Sequence, residues 1–317
     1  MTKSVIVTMY FNLKTLKDSS QDTRPLEFYL TNGRGTLQLE HPMIVFCDST
    51  TQPLIKAIRD EYVSPEKCPT IYIEKNFTDY DYYNQTWPII VENRKKSRYY
   101  KNPNDRNTPS YYLVCMFKIM ALQMAAQRDD FGASHYFWID FGCSHVAGKD
   151  MKEPAERMLD NPRPKVSALY LHYKSSSDLQ DVANFCDTGA CAMACTVFSV
   201  ERDYVSKLYS CMWAIFYDLL GKGHGHTDEQ VMTLCYDRHP DLFNLYYGDY
   251  YSVISNYHYV FKDWHTVKWC FINNAINAGR QDLAKAAAQN ILDSISANFL
   301  TIPDVEKAYI ESVVANQ

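Results

Sequence analysis

Residues 135–142 read His135-Tyr136-Phe137-Trp138-Ile139-Asp140-Phe141-Gly142. Tyr136–Ile139 is an unbroken apolar run, aromatic and β-branched, too short for a helix and stopped by a carboxylate and a glycine. That pattern is a strand buried on both faces, which places the chain in the α/β class. Working outward, four more runs read the same way: Ser4–Phe11, Pro42–Cys47, Val166–His172 and Ala190–Phe198, with Thr70–Ile73 as a shorter candidate. Between them lie helical patterns. Leu54, Ile55, Ile58 and Tyr62 share one face of 51–62, and Tyr111–Gln127 carries Val114, Phe117, Ala121, Met124 and Ala125 on one side. Glu201–Leu220 is a long helix, and Thr227 starts another that reaches about Tyr236. Strands alternating with helices give an open sheet whose functional groups gather at the strand C-terminal ends.

The remaining segments are less regular. Residues 12–39 read as a polar connection. Residues 76–112, rich in Tyr, Asn and Asp with a basic run Arg94, Lys95, Lys96, Arg98 and Lys101, read as a long functional loop or lid. Residues 241–260 are aromatic and expected to be partly extended, and the tail from Thr266 is expected to be helical. One α/β unit with a helical C-terminal extension accounts for all of this.

The 317 residues are 46% apolar and 22% charged, with 11 Gly, 13 Pro and a formal net charge of -5, which excludes disorder and collagen-like or low-complexity structure. With 32 basic against 37 acidic residues there is no global positive field for nucleic acid or an anionic membrane. No stretch approaches the roughly 18–20 apolar residues of a membrane span. No secretory leader is expected at Val5–Phe11. Ten cysteines without a C-x-x-C pair read as buried reduced thiols, so a cytoplasmic chain is expected.

Three clusters carry candidate chemistry. Asp140, delivered by a buried strand and followed by Phe141-Gly142, is how an α/β enzyme sets a metal-binding carboxylate beneath a nucleotide phosphate; the plainer alternative is a turn cap. His224-Gly225-His226-Thr227-Asp228-Glu229-Gln230 puts two acids in the first turn of a helix, where Asp228 or Glu229 could serve as general base if burial raises its pKa. Solvated acids at a well-placed helix start explain it equally well. His224 and His226 lack partners at zinc-site spacing. The stretch from Tyr246 to His258 concentrates aromatic faces and polar tips suited to sugar or base rings, or to a packed hairpin. The basic run 94–101 could clamp a diphosphate or form a solvated face. G-x-S-x-G, P-loop and G-x-G-x-x-G patterns are absent, which removes the common serine hydrolase, P-loop and dinucleotide readings.

Over residues 4–260 the sequence resembles the HtrL/YibB family of bacterial and viral proteins, which are similar to nucleotide-sugar glycosyltransferases of the GT-A type. The resemblance runs through Ile6–Phe11, Met43–Asp48, Arg59, Tyr112–Lys118, Phe137–Gly142 with His145, and Gly189. It continues through Thr227-Asp228-Glu229-Gln230, His239–Phe243, Tyr247–Tyr250 and Asn256-Tyr257. It implies a GT-A-like α/β/α sandwich with a mostly parallel central sheet over residues 1–260, and a helical extension, 261–317, packed on it. It also implies that Thr8, Tyr10, Asp48, Arg59, Lys118 and Asp140 hold the nucleotide donor, and that Tyr247, Asp249 and Asn256 meet the acceptor. Mn2+ or Mg2+ would bind at Asp140. GT-A enzymes usually carry two aspartates in a D-x-D motif, whereas here only Asp140 is supplied, so either a second ligand such as His145, His258 or His265 joins it or metal binding is absent.

The expected activity is transfer of a sugar from a nucleotide-diphosphate sugar, UDP-linked by preference, to an acceptor hydroxyl, metal-assisted at Asp140, with Asp228 or Glu229 as base if the anomeric centre inverts and as acceptor-positioning groups if it is retained. Surface polysaccharide, lipid-linked glycan, protein and modified DNA bases are all open as acceptors. The alternative is a non-catalytic glycan- or partner-binding module on a degenerate version of the fold.

Overall fold

All residues of four strands are buried: β1 (Ser4–Tyr10), β2 (Met43–Cys47), and, after the half-exposed β3 (Thr70–Glu74), β4 (His135–Ile139) and β5 (Val166–Tyr170). In this computed structural model, which describes residues 4–20, 22–97, 107–188, 191–225 and 227–315, they join β6 (Met193–Glu201) and β7 (Tyr246–Tyr247). The seven strands form one sheet in the order β3-β2-β1-β4-β6-β5-β7. Four ladders are parallel, and only those that flank β6 are antiparallel. The α/β class and the mostly parallel sheet are therefore as the sequence predicts. After β1 the chain steps to β2 and β3, then crosses back to β4 on the other side of β1. The C-terminal ends of β1 and β4 thus flank a topological switch point, where open α/β sheets leave a crevice.

Helices cover both faces, and two of them lie where connections are expected. The polar stretch 12–39 contains α1 (Leu26–Leu37) despite Asn32, Gly33 and Gly35 in its sequence. Glycine is a poor helix former, but here it permits close packing. A Cβ on Gly33 would clash with the Phe141 ring, and one on Gly35 would fall 2.7 Å from Ser144. After α2 (Gln52–Tyr62), the segment expected as a loop or lid forms α3 (Asp81–Arg94), with Tyr82, Tyr83, Thr86, Ile90 and Asn93 buried. Of the basic run, Arg98 and Lys101 lie outside the described residues, as do His226 and Gly189. The expected partly extended stretch 241–260 supplies only the two-residue β7 and short turns.

The core is strongly aromatic around α4 (Pro109–Arg128). Phe117 has five rings about it, those of Phe11, Phe46, Phe77, Tyr80 and Tyr82, at centroid distances from 4.6 to 6.5 Å. Such pairs contribute about 0.5–1.5 kcal/mol each beyond the area they bury. They fix the rotation of α4, and with it the position of the adjacent Lys118. On the far side of the sheet order, Phe271 from the C-terminal helices packs on Tyr170 and Tyr247 at 4.9 and 4.7 Å.

Arg59, expected at the nucleotide, is instead a structural staple at the opposite end of the strands. It is 2% exposed and donates to the carbonyls of Leu37, Leu39 and His41 and to Thr70 Oγ1 at the start of β3. Burial lowers its pKa, but the four acceptors take four of its five N–H donors. Arg59→Met strands three carbonyls, at about 1 kcal/mol or more apiece. A loss of about 3 kcal/mol is expected, read as a lower urea midpoint at unchanged slope.

Candidate functional site: a lysine held between two aspartates

A cavity of about 400 Å³ opens at the switch point. Met9, Tyr10 and Phe11 at the end of β1 and Trp138, Asp140, Phe141 and Gly142 at the end of β4 form one side. Tyr111, Val114, Cys115 and Lys118 of α4, Thr196 of β6, Thr227–Glu229 and Tyr250 form the other, with Arg24, Tyr29 and His145 completing the wall.

Asp140 is set by its backbone on both sides. Its N–H donates to Thr196 O at 2.8 Å, and its carbonyl accepts from Thr36 Oγ1 and from the Cys143 N–H. The side chain then meets two donors at one oxygen: the Trp138 indole N–H at 2.7 Å and the Lys118 ammonium at 3.0 Å. Trp138 and Asp140 are two residues apart on an extended strand, so their side chains share a face. Asp228 starts the helix Asp228–Arg238 and lies 2.8 Å from the same ammonium. Lys118 also donates to Cys195 O at 3.1 Å. Glu229 takes a different partner. Its Oε1 accepts from Tyr250 OH at 2.9 Å, and Tyr250 OH lies 2.6 Å from Thr196 Oγ1.

Solvation separates the two aspartates. The Asp140 side chain is 33% exposed and that of Asp228 only 4%. Burial pushes the Asp228 carboxyl up to about 7, with Lys118 pulling the other way and Glu229 and Asp140 adding to the rise. Lys118 is itself desolvated, yet Asp140 and Asp228 hold its pKa well above the ordinary range, so it stays an ammonium.

The expected site residues divide sharply. Tyr10, Lys118, Asp140, His145, Asp228 and Glu229 come together in the cavity. Thr8 does not reach it: the side chain is wholly buried within the sheet, and its hydroxyl has no partner among the described residues. Asp48 spends its carboxylate on the N–H groups of Asn12, Thr50 and Thr51, closing the turn after β2. The acceptor trio is likewise structural. Tyr247 is buried against Phe271, and Asp249 caps the next turn. Asn256 binds the carbonyls of Tyr247 and Lys262 and the N–H groups of Phe261 and Lys262. Tyr250, one residue beyond Asp249, is the side chain of that stretch that enters the cavity. Arg24, Tyr29, Trp138 and Thr196 were not singled out from sequence. Of these only Trp138 had a readable signal, its i,i+2 relation to Asp140.

The three residues expected to ligate a metal are not assembled. His258 lies outside the cavity, beside Arg157 and Arg163, and burial lowers its pKa. His145 has both ring nitrogens engaged. Arg24 can only donate, so Nε2 accepts from it at 3.2 Å, and Nδ1–H then donates to Gly142 O at 2.6 Å. Asp140 already carries an ammonium and an indole N–H on one oxygen. Among the described residues no group of three His, Cys, Asp or Glu could hold a metal ion. Among the described residues the donor set does not fit a divalent cation. Lys118 occupies the position between the carboxylates.

These features define an α/β protein with a charged crevice at the sheet's switch point, built on a carboxylate–lysine–carboxylate bridge. The chain belongs to the HtrL/YibB family, described as bacterial protein of unknown function, whose sequence profile matches residues 2–258. It is 25% identical over 268 residues to Protein HtrL of Escherichia coli strain K12, covering 78% of this chain and 88% of that one. Among solved structures it is similar to mouse xyloside xylosyltransferase 1, at 13% identity and a TM-score of 0.40 over 77% of this chain and 85% of that one. A 4-diphosphocytidyl-2C-methyl-D-erythritol synthase from Anaerococcus prevotii gives 9% and 0.40 over 80% and 90%. These two are likenesses of outline.

Removing one member of a buried ion pair leaves the other uncompensated, at about 3–5 kcal/mol. Lys118→Met is expected to destabilise the protein by that order at pH 8. Adding Asp228→Asn should recover more than 1 kcal/mol, measured as a double-mutant cycle in urea. The penalty of Lys118→Met shrinks as pH falls, because an aspartate with a raised folded-state pKa takes up its proton and loses the unpaired charge.

Proposed function

We propose that the protein is a glycosyltransferase that moves a sugar from a nucleoside-diphosphate donor to an acceptor hydroxyl. The observation that carries this reading is Asp228: a buried carboxyl raised to about 7, aimed into a cavity at the switch point of an α/β sheet. A solvated helix-start acid, the bland reading of the sequence, has no reason to show such a shift.

In this reading Asp228 is the general base. Its carboxylate accepts the proton of the acceptor hydroxyl as the oxygen attacks the anomeric carbon. The bond from that carbon to the diphosphate oxygen breaks, and the leaving group departs with the electron pair. Displacement of this kind inverts the anomeric centre. Glu229, tied to Tyr250 and through it to Thr196, orients the acceptor. Tyr10 stacks on Phe141 at 5.1 Å and leans on Tyr29 at 5.0 Å, giving an aromatic wall for the nucleobase. Lys118 holds Asp228 and Asp140 in register. No step passes through a metal.

A panel of nucleoside diphosphates tests the donor site by thermal shift. At about 100 times its dissociation constant the matching nucleotide stabilises the fold by roughly 2.7 kcal/mol. Transfer from the corresponding nucleotide sugar, followed by product analysis, should rise with pH through an inflection near 7 as Asp228 loses its proton. Asp228→Asn should keep the thermal shift and lose about 10²–10⁴-fold in turnover. Wild-type turnover in that variant, or no nucleotide shift at all, removes the assignment.

A further inference from the structure

Among the described residues the cavity has two cationic side chains in its wall, Lys118 and Arg24, and they are not equivalent. Lys118 is 7% exposed and saturated: its ammonium faces Asp140, Asp228 and the Cys195 carbonyl, which match its three N–H donors. Its single charge is shared between two carboxylates and has nothing left for a ligand.

Arg24 is the reverse case. Its guanidinium lies over the Phe28 ring at 4.5 Å, and Nη1 donates to His145 Nε2 at 3.2 Å. His145 is itself fixed, by the Nδ1–H bond to Gly142 O and by edge contact with Phe28 at 5.6 Å. These contacts orient the guanidinium without touching its charge. Among the described residues no carboxylate forms an ion pair with it. One donor is used of the five that the group presents in a planar fork suited to phosphate oxygens.

We infer that Arg24, held by His145 and Phe28, is the anion-binding residue of the cavity. It takes the diphosphate of the donor directly, in a site that needs no divalent cation. The identity of the anion as a nucleotide rests on the function proposed above; the anion site itself does not. The carboxylate end of the cavity repels a diphosphate and suits a hydroxyl nucleophile, so the uncompensated guanidinium is where the charged group settles. His145 is a positioning residue: as a neutral imidazole whose two nitrogens face a carbonyl and an arginine, it locks one guanidinium edge and leaves the others free.

Calorimetric titration in EDTA tests this, with UDP, CDP, GDP, ADP and inorganic pyrophosphate as probes and the matching nucleosides as controls. Wild-type protein should bind at least one of these diphosphates without metal. Arg24→Ala should weaken that binding about 10- to 100-fold, as for loss of charge-assisted hydrogen bonds, and leave binding of the nucleoside unchanged. Arg24→Lys, which keeps the charge but loses the fork, should fall between. Unchanged melting temperatures would show that the variants fold. Diphosphate binding that is equal in wild type and Arg24→Ala, binding seen only with Mn2+ added, or no binding of any probe overturns the inference. Arg24-dependent binding of pyrophosphate without binding of any nucleotide would sustain the anion site and sink the nucleotide donor. Nucleotide binding indifferent to Arg24 would do the opposite.

Discussion

The ammonium of Lys118, wedged between Asp140 and Asp228, is the contact on which the site depends. A nearly buried cation is tolerable only when anions and carbonyls surround it, and here they come from three separate places. Asp140 arrives at the end of β4, Asp228 at the start of a helix, and the Cys195 carbonyl on β6. The antiparallel direction of β6 is what brings Thr196 and Cys195 alongside the end of β4. Any shift of one element would leave charge unpaired in a dry setting, so the bridge ties chain segments more than a hundred residues apart to one geometry.

That bridge also creates a difference between two chemically identical groups. Asp140 is partly solvated, and one of its oxygens meets an indole N–H as well as the ammonium. Asp228 is shut away from water, and burial raises its proton affinity into the neutral range. A pair of carboxyls with diverging environments is the usual physical basis for dividing acid–base work from charge holding. The same lysine explains why a divalent cation does not suit the position: one already fixed positive charge sits where the ion would go. Among the described residues the uncompensated charge in the cavity wall is then Arg24, whose partners are an imidazole and an aromatic face.

Much of the fold was legible because burial on both faces leaves a direct imprint on sequence. Each fully buried strand reads as a short apolar run, and β4, with its abrupt ending in Asp140-Phe141-Gly142, reads most clearly. The failures have physical causes. The helix α1 contains Asn32, Gly33 and Gly35, residues that speak locally for a turn, and exists because those glycines let it press against Phe141 and Ser144. The helix α3 carries Tyr and Asn that read locally as loop, and it is held because Tyr82 packs on Phe117 and Tyr83 on Phe77.

Within the site, the sequence alone determined which carboxylates and which lysine were in play: Asp140, Asp228, Glu229 and Lys118 carry a pattern because each sits at a fixed place in its own element. Partners were a matter for the tertiary structure. Nothing local distinguishes Arg59, spent on three carbonyls, from Arg24, oriented but uncompensated. Nor does it separate Asn256, consumed by a loop, from Tyr250, which enters the cavity. Charge, burial and hydrogen-bond saturation belong to the surroundings of a side chain. Those surroundings are assembled from residues far apart in the chain, so they exist only once the sheet has brought its strand ends together.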